Sequence, residues 1–172
     1  MQLSVRPYTN FQTTALVVLR VLIGWHFLYE GLAKLGNPYW TSAGYLAESK
    51  WWFSGVFMFM ATHEPVLAVV DFINSWGLVA IGAGLMLGCL TRYSTIGAIV
   101  LLALYYIAAP PFAGYTYAMP MEGSYLLVNK VLIELAAVVV LLAFPTGMLF
   151  GLDRLIFRKQ TPEYQALQQA HG

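Results

Sequence analysis

The chain has 172 residues, enough for one domain, yet 59% of it is hydrophobic and only 10% charged, with a mean hydropathy of +0.67. Soluble domains carry about 25% charged residues, so this composition excludes an ordinary water-soluble globule and indicates an integral membrane protein. A net charge of +1 is too weak a field to hold a phosphate backbone, which excludes nucleic acid as a partner. The single cysteine, Cys89, excludes an internal disulfide framework, a Cys-rich zinc site and a cysteine-ligated iron–sulfur cluster.

Crossing a hydrocarbon layer of about 30 Å takes about 20 apolar residues as helix. Four stretches predict such spans: 13–35, 72–90, 94–109 and 125–144. The fold expected is all-α, an integral membrane four-helix bundle over residues 1–157 followed by a polar tail over 158–172. The first span is too long and too charged at its far end for a cleavable signal peptide, and reads as a permanent helix. Between it and the second span lies a loop dense in aromatic residues. An amphipathic or re-entrant segment there buries Trp51, Trp52, Phe53, Phe57 and Phe59 at the headgroup boundary. The second span contains Gly82, Gly84 and Gly88, small surfaces that let helix backbones approach closely. A tight turn, Thr91-Arg92-Tyr93-Ser94, links it to the third span, and a Pro- and aromatic-rich loop leads to the fourth. Arg6, Arg92, Arg154, Arg158 and Lys159 lie on the side of the termini, against Lys34 and Lys50 on the other, so both termini are expected in the cytoplasm.

Charges inside the spans are the anomaly, because each costs about 2.5–3.5 kcal/mol at mid-bilayer on insertion scales. The first span carries Arg20, His26, Glu30 and Lys34, the last three at i, i+4 and i+8 on one stripe. The fourth carries Asn129, Lys130 and Glu134. With the midplane near residues 23–25 and 135, Glu30 and Lys130 match in height and Arg20 can extend toward Glu134. The expectation is a buried polar cluster with Arg20 and Lys130 near Glu134 and Glu30, and His26 between them. Such a cluster either fastens helices together or marks a site, and ionisable groups retained in a membrane favour the site. Haem is not expected, since His63 falls in a loop and His171 in the tail. No residue set suits another metal or a flavin.

Three sequence pieces, "LRVLIGWHFLYEGLAKL", "GAGLMLGCLTR" and "FPTGMLFGLDRL", together resemble the DoxX/DoxD family of small four-helix membrane proteins. Arg20, Gly24, Gly31 and Lys34 match the family's first-helix pattern, Gly82, Gly88, Thr91 and Arg92 its second, and Asp153 and Arg154 its close. The DoxD branch is similar to the small membrane subunit of thiosulfate:quinone oxidoreductase, which implies passage of reducing equivalents into the quinone pool of a bacterial inner membrane. Family members often carry a Glu four residues before the first glycine of the second pattern, where this chain has Leu78. If that Glu relays protons in relatives, this chain must use Glu30 or Glu134, or it lacks the activity.

A quinone-interacting subunit is the leading functional expectation. Trp25, Tyr29 and Tyr125 flank the ring, Arg20, His26 or Lys130 polarise its carbonyls with Lys34 and Asn129 in the same polar lining, and Glu30 or Glu134 exchange protons. Electrons then come from a separately encoded redox subunit. Membrane lipid is the surrounding partner, and a homo-oligomer is a further option. The alternatives are a membrane anchor for a soluble redox enzyme, without chemistry of its own, and a small transporter. The transporter ranks last because no pair of broken half-helices points at a midplane site.

Overall fold

The computed structural model describes residues 9–112, 114–118, 126–147 and 150–156. They form seven helices and no strand: α1 (Asn10–Gly36), α2 (Ala43–Ala47), α3 (Ser54–Thr62), α4 (Glu64–Leu87), α5 (Thr91–Ala108), α6 (Lys130–Ala143) and α7 (Asp153–Ile156). Only α1, α4 and α5 are long and apolar enough to cross a membrane. The fourth expected span is shorter than its apolar stretch suggested. α6 has 14 residues, about 21 Å of helix, and starts where the Asn129 side chain accepts a hydrogen bond from the Leu132 amide. Residues 125 and 158–172, part of the expected fourth span and the tail, lie outside the described residues.

Capping chemistry moves the other boundaries. Thr9 and Gln12 form a reciprocal capping box, so α1 starts three residues before the apolar run. α4 starts eight residues before its expected position, with Pro65 in its first turn, where a missing N–H costs nothing. Asp71 is therefore helical rather than part of the loop. The expected turn at residues 91–94 is instead the first turn of α5, and the link is Gly88-Cys89-Leu90. Gly88 ends α4 in the left-handed region, at φ 63°, and Leu90 adopts φ 48°. The Asp153 carboxylate holds this link by accepting from the amides of Leu90, at 2.6 Å, and Thr91, at 3.0 Å.

α1 and α4 pack antiparallel with their backbones nearly touching. A Cβ on Gly82 would lie 2.3 Å from the Leu28 amide nitrogen, and one on Gly24 would lie 2.8 Å from that of Met86. Gly31 faces Leu78 and Val79 in the same way. α5 packs on α4, and α6 packs mainly on α5 with a shorter contact to α1. Phe27, Leu85, Leu102, Val138 and Leu141 are buried at the centre of these four helices.

The aromatic loop becomes α2 and α3, which lie over the end of the bundle where α4 begins. Leu46 and Phe57 pack there with Ala108. Of the five aromatics expected at the headgroup boundary, Phe57 is buried against the bundle and Trp51 half-buried against Phe112, while Trp52, Phe53 and Phe59 lie on the protein surface. The inward stripe of α3 is Phe57 with Met60 and Ala61, and Phe59 falls off it. Lys50 donates to the Thr116 carbonyl and Glu48 accepts from the Ala118 amide, tying this loop to the one before α6.

A Gly82→Val substitution should force α1 off α4 and lower stability by about 1–3 kcal/mol or more. Gly36→Ala, where nothing lies within 4 Å, should leave the thermal midpoint in mild detergent unchanged by circular dichroism.

Candidate functional site

His26, Glu30 and Lys34 of α1 and Lys130 and Glu134 of α6 line one cavity of about 420 Å³. Residues four apart on a helix are displaced by about 40° around its axis. The three α1 side chains therefore fan over about 80° rather than stacking in a straight line, and that rotation gives the cavity two poles. At one pole His26 reaches α6, its Nδ1–H donating to Glu134 Oε1 at 2.8 Å. At the other, Lys34 reaches α4 and donates to Asn74 Oδ1 at 3.2 Å. Glu30 sits between them, its carboxylate 3.9 Å from the Lys34 ammonium.

The Lys34 pole is built from three helices. The Tyr105 hydroxyl of α5 donates to the same Asn74 oxygen, at 3.0 Å. The Lys34 ammonium stands 5.1 Å from the centre of the Trp40 ring and 5.6 Å from that of Tyr105, where aromatic faces attract a cation. Residues 40–45 roof the cavity. Ser42 donates twice to Asp71, through its amide at 2.9 Å and through its hydroxyl. Tyr45 donates to the Tyr105 carbonyl at 2.7 Å. Burial, with Tyr105 and Tyr117 nearby, pushes the Tyr45 phenol above its usual range, so its hydroxyl stays a donor across the ordinary pH range. Phe27, Leu78, Leu102 and Val131 supply apolar wall.

Not every expected residue is here. Arg20 does not join Glu134. It is buried at the opposite end of the bundle, donating from Nη1 to the Thr146 hydroxyl, at 3.1 Å, and from Nη2 to the Phe150 carbonyl, at 2.5 Å, with Asp153 close enough to act on it electrostatically. The cause is register: pairing of Gly24 with Gly82 and Met86 sets Arg20 level with Gly88, at the α4–α5 turn, and not near the middle of the bundle. Trp25 and Tyr29 point away, 55% and 61% exposed, because the helix turns them about 100–140° from the centre of the polar stripe. Asn129 caps α6 and does not line the cavity. Tyr125 lies outside the described residues.

Sequence reasoning missed Asn74, Tyr105, Asp71, Tyr45 and Trp40. A signal was present for two of them: Asp71 and Asn74 are polar residues at i and i+3 inside an apolar helix. For Tyr45 and Trp40 there was none, since their place depends on how the loop folds back. Leu78 forms cavity wall one turn from Asn74. Among the described residues, no three of His, Cys, Asp and Glu converge as a metal-binding set.

The arrangement offers a fixed cation and hydroxyl at one end of an apolar slot and an imidazole–carboxylate pair at the other. A cation with a hydroxyl is a donor set suited to an electron-rich oxygen, and an imidazole beside a carboxylate is a group type suited to proton exchange. The family model described as DoxX matches residues 15–111 of this chain. No curated protein and no solved structure matches it significantly.

Replacing Asn74 by Leu removes the shared acceptor of Lys34 and Tyr105, and should cost about 1–3 kcal/mol. Tyr105→Phe, which removes one donor and leaves the Lys34 bond, should cost less. Denaturation midpoints of the two variants in mild detergent check the order.

Proposed function

Since this chain belongs to the DoxX family and is a multi-pass membrane protein, we propose that it is the membrane subunit of an oxidoreductase, passing reducing equivalents from a separately encoded partner enzyme to the quinone pool of a bacterial inner membrane. The observation that carries this reading is the two-pole cavity between α1, α4, α5 and α6. Its volume of about 420 Å³ falls in the range of small-molecule sites, about 300–1,000 Å³, and its polar groups match a ring with a carbonyl oxygen at each end. A bound quinone supplies the chemistry of accepting two electrons with two protons.

The chain's own residues position and protonate. Lys34, held by Asn74 between the Trp40 and Tyr105 rings, directs a positive charge at one carbonyl oxygen. His26, with Nδ1 committed to Glu134, exchanges protons through Nε2, and the carboxylate stabilises the imidazolium that forms. Phe27, Leu102 and Val131 give the slot its apolar wall. With Leu78 in the wall, Glu30 and Glu134 are the cavity's carboxylates, so proton exchange falls to them and to His26. Arg92 and Arg154 are exposed at the end of the bundle that Asp153 closes, and a basic end faces the cytoplasm. The cavity then lies toward the outer side. An anchor for a soluble redox enzyme is the second reading, favoured by the exposed rings of Tyr39 and Trp52 on the connecting loop, 91% and 84% accessible.

Membranes holding this chain with its co-purifying partner should reduce added quinone. Glu134→Gln should lower that rate at least about tenfold, and Lys34→Met should weaken quinone binding by roughly tenfold, or about 1.4 kcal/mol, with thermal stability retained in both. Unchanged electron flow in Glu134→Gln and Glu30→Gln would establish the anchor instead.

A further inference from the structure

The walls of the cavity are unequal. The α1–α4 seam is closed by backbone contact at Gly24, Gly31 and Gly82, and the α4–α5 seam by Gly84 against Ser94 and Gly97 against Ile81. Between α5 and α6, Leu102, Val138 and Leu141 are buried. The roof is pinned by Ser42 on Asp71 and by Tyr45 on the Tyr105 carbonyl. The seam between α1 and α6 is different. The side chains of His26 and Glu30 are 47% and 49% exposed there, whereas those of Glu134 and Lys34, deeper in, are 15% and 16% exposed. Toward the terminal end the same seam shuts again where Arg20 meets Thr146. Apolar side chains flank the opening on the outside, with Leu22 on α1 and Ile133 on α6 both about three-fifths exposed.

From this we infer that the ligand is an amphiphile dissolved in the bilayer, and that it enters sideways between α1 and α6 with its polar ring in the cavity and its apolar tail left in lipid. The inference rests on the cavity assigned above and deepens it, by naming the route and the class of molecule that can take it. The pinned roof bars a water-borne solute, whereas a molecule partitioned into the membrane meets the open seam directly. The His26–Glu134 hydrogen bond bridges this seam directly, so a head group passes it on the way to Lys34. The protonating pair thereby stands at the threshold and the cation at the far end, which orients an entering ring.

Ala33 offers a way to narrow the seam without touching either pole. It is exposed and lies seven residues from His26, within about 20° of it around the helix, and it does not line the cavity. The experiment uses the full chain in phosphatidylcholine vesicles and two photoreactive probes: benzophenone carrying a hexadecyl chain, and water-soluble benzophenone sulfonate. The tailed probe should label the inner wall at Leu102 and Val131, and the sulfonate should not. Ala33→Trp should cut inner-wall labelling by the tailed probe at least about tenfold, while labelling of the exposed Val139 continues and reports an intact fold. Wall labelling by the sulfonate equal to that by the tailed probe would overturn the inference, and so would unchanged wall labelling in Ala33→Trp. If Ala33→Trp does not fold, the two-probe comparison on the native chain decides alone. Neither probe is a quinone reduced by a partner enzyme, so these results hold whether or not the quinone reading survives.

Discussion

Polar side chains on a helix inside hydrocarbon must find partners on other helices, because lipid supplies none. That constraint sets the rotation of α1, and the rest of the molecule follows from it. The glycine edge of α1 meets α4 at backbone distance, and its polar stripe lies beside that edge, drifting from the α4 side at Lys34 to the α6 side at His26. Asn74 and Glu134 receive the two ends of the drift. A helix rotated to turn His26 away from α6 would break both sets of contacts together.

The two ends of the bundle divide the labour. At the terminal end, Arg20, Gly88, Thr146 and Asp153 make a closed knot: Asp153 caps the start of α5, and the Arg20 guanidinium fills the space beside Gly88 and ties α1 to the segment after α6. A Cβ on Gly88 would press on Gly151 and on the guanidinium, and its φ of 63° independently favours glycine. Most of the residues that carry the resemblance to DoxX belong to this knot or to the α1–α4 glycine contact. Lys34 is the one that reaches the cavity. In this chain those residues build chiefly a frame, while His26 and Glu134 line the cavity.

At the other end, a short helix and its connection fold back as a roof. Nothing in this segment reads as a lid, since its role comes from two anchors: Ser42 on an aspartate of α4, and a half-buried tyrosine hydroxyl on a carbonyl of α5. These bonds place Trp40 against the Lys34 ammonium and complete an aromatic cage of side chains drawn from a loop and a helix 65 residues apart in the chain.

The sequence by itself determined that the chain belongs in a membrane, the approximate course of its three long apolar helices, and that α1 and α6 carry ionisable groups within apolar stretches. Composition and periodicity report burial against lipid, and i, i+4 spacing reports a shared face, so His26, Glu30, Lys130 and Glu134 were legible as one group, in which Arg20 was wrongly included. Tertiary structure alone decided the register between helices, and register separates a site residue from a fastener. A slide set by the fit of Gly24 and Gly82 sends Arg20 to the end of the bundle and brings Asn74 and Tyr105 to Lys34. Rotation about α1 turned Trp25 and Tyr29 outward, and distant hydrogen bonds fixed the ends of α5 and the roof. These are relations between segments far apart in the chain, and residue type and local spacing carry no record of them.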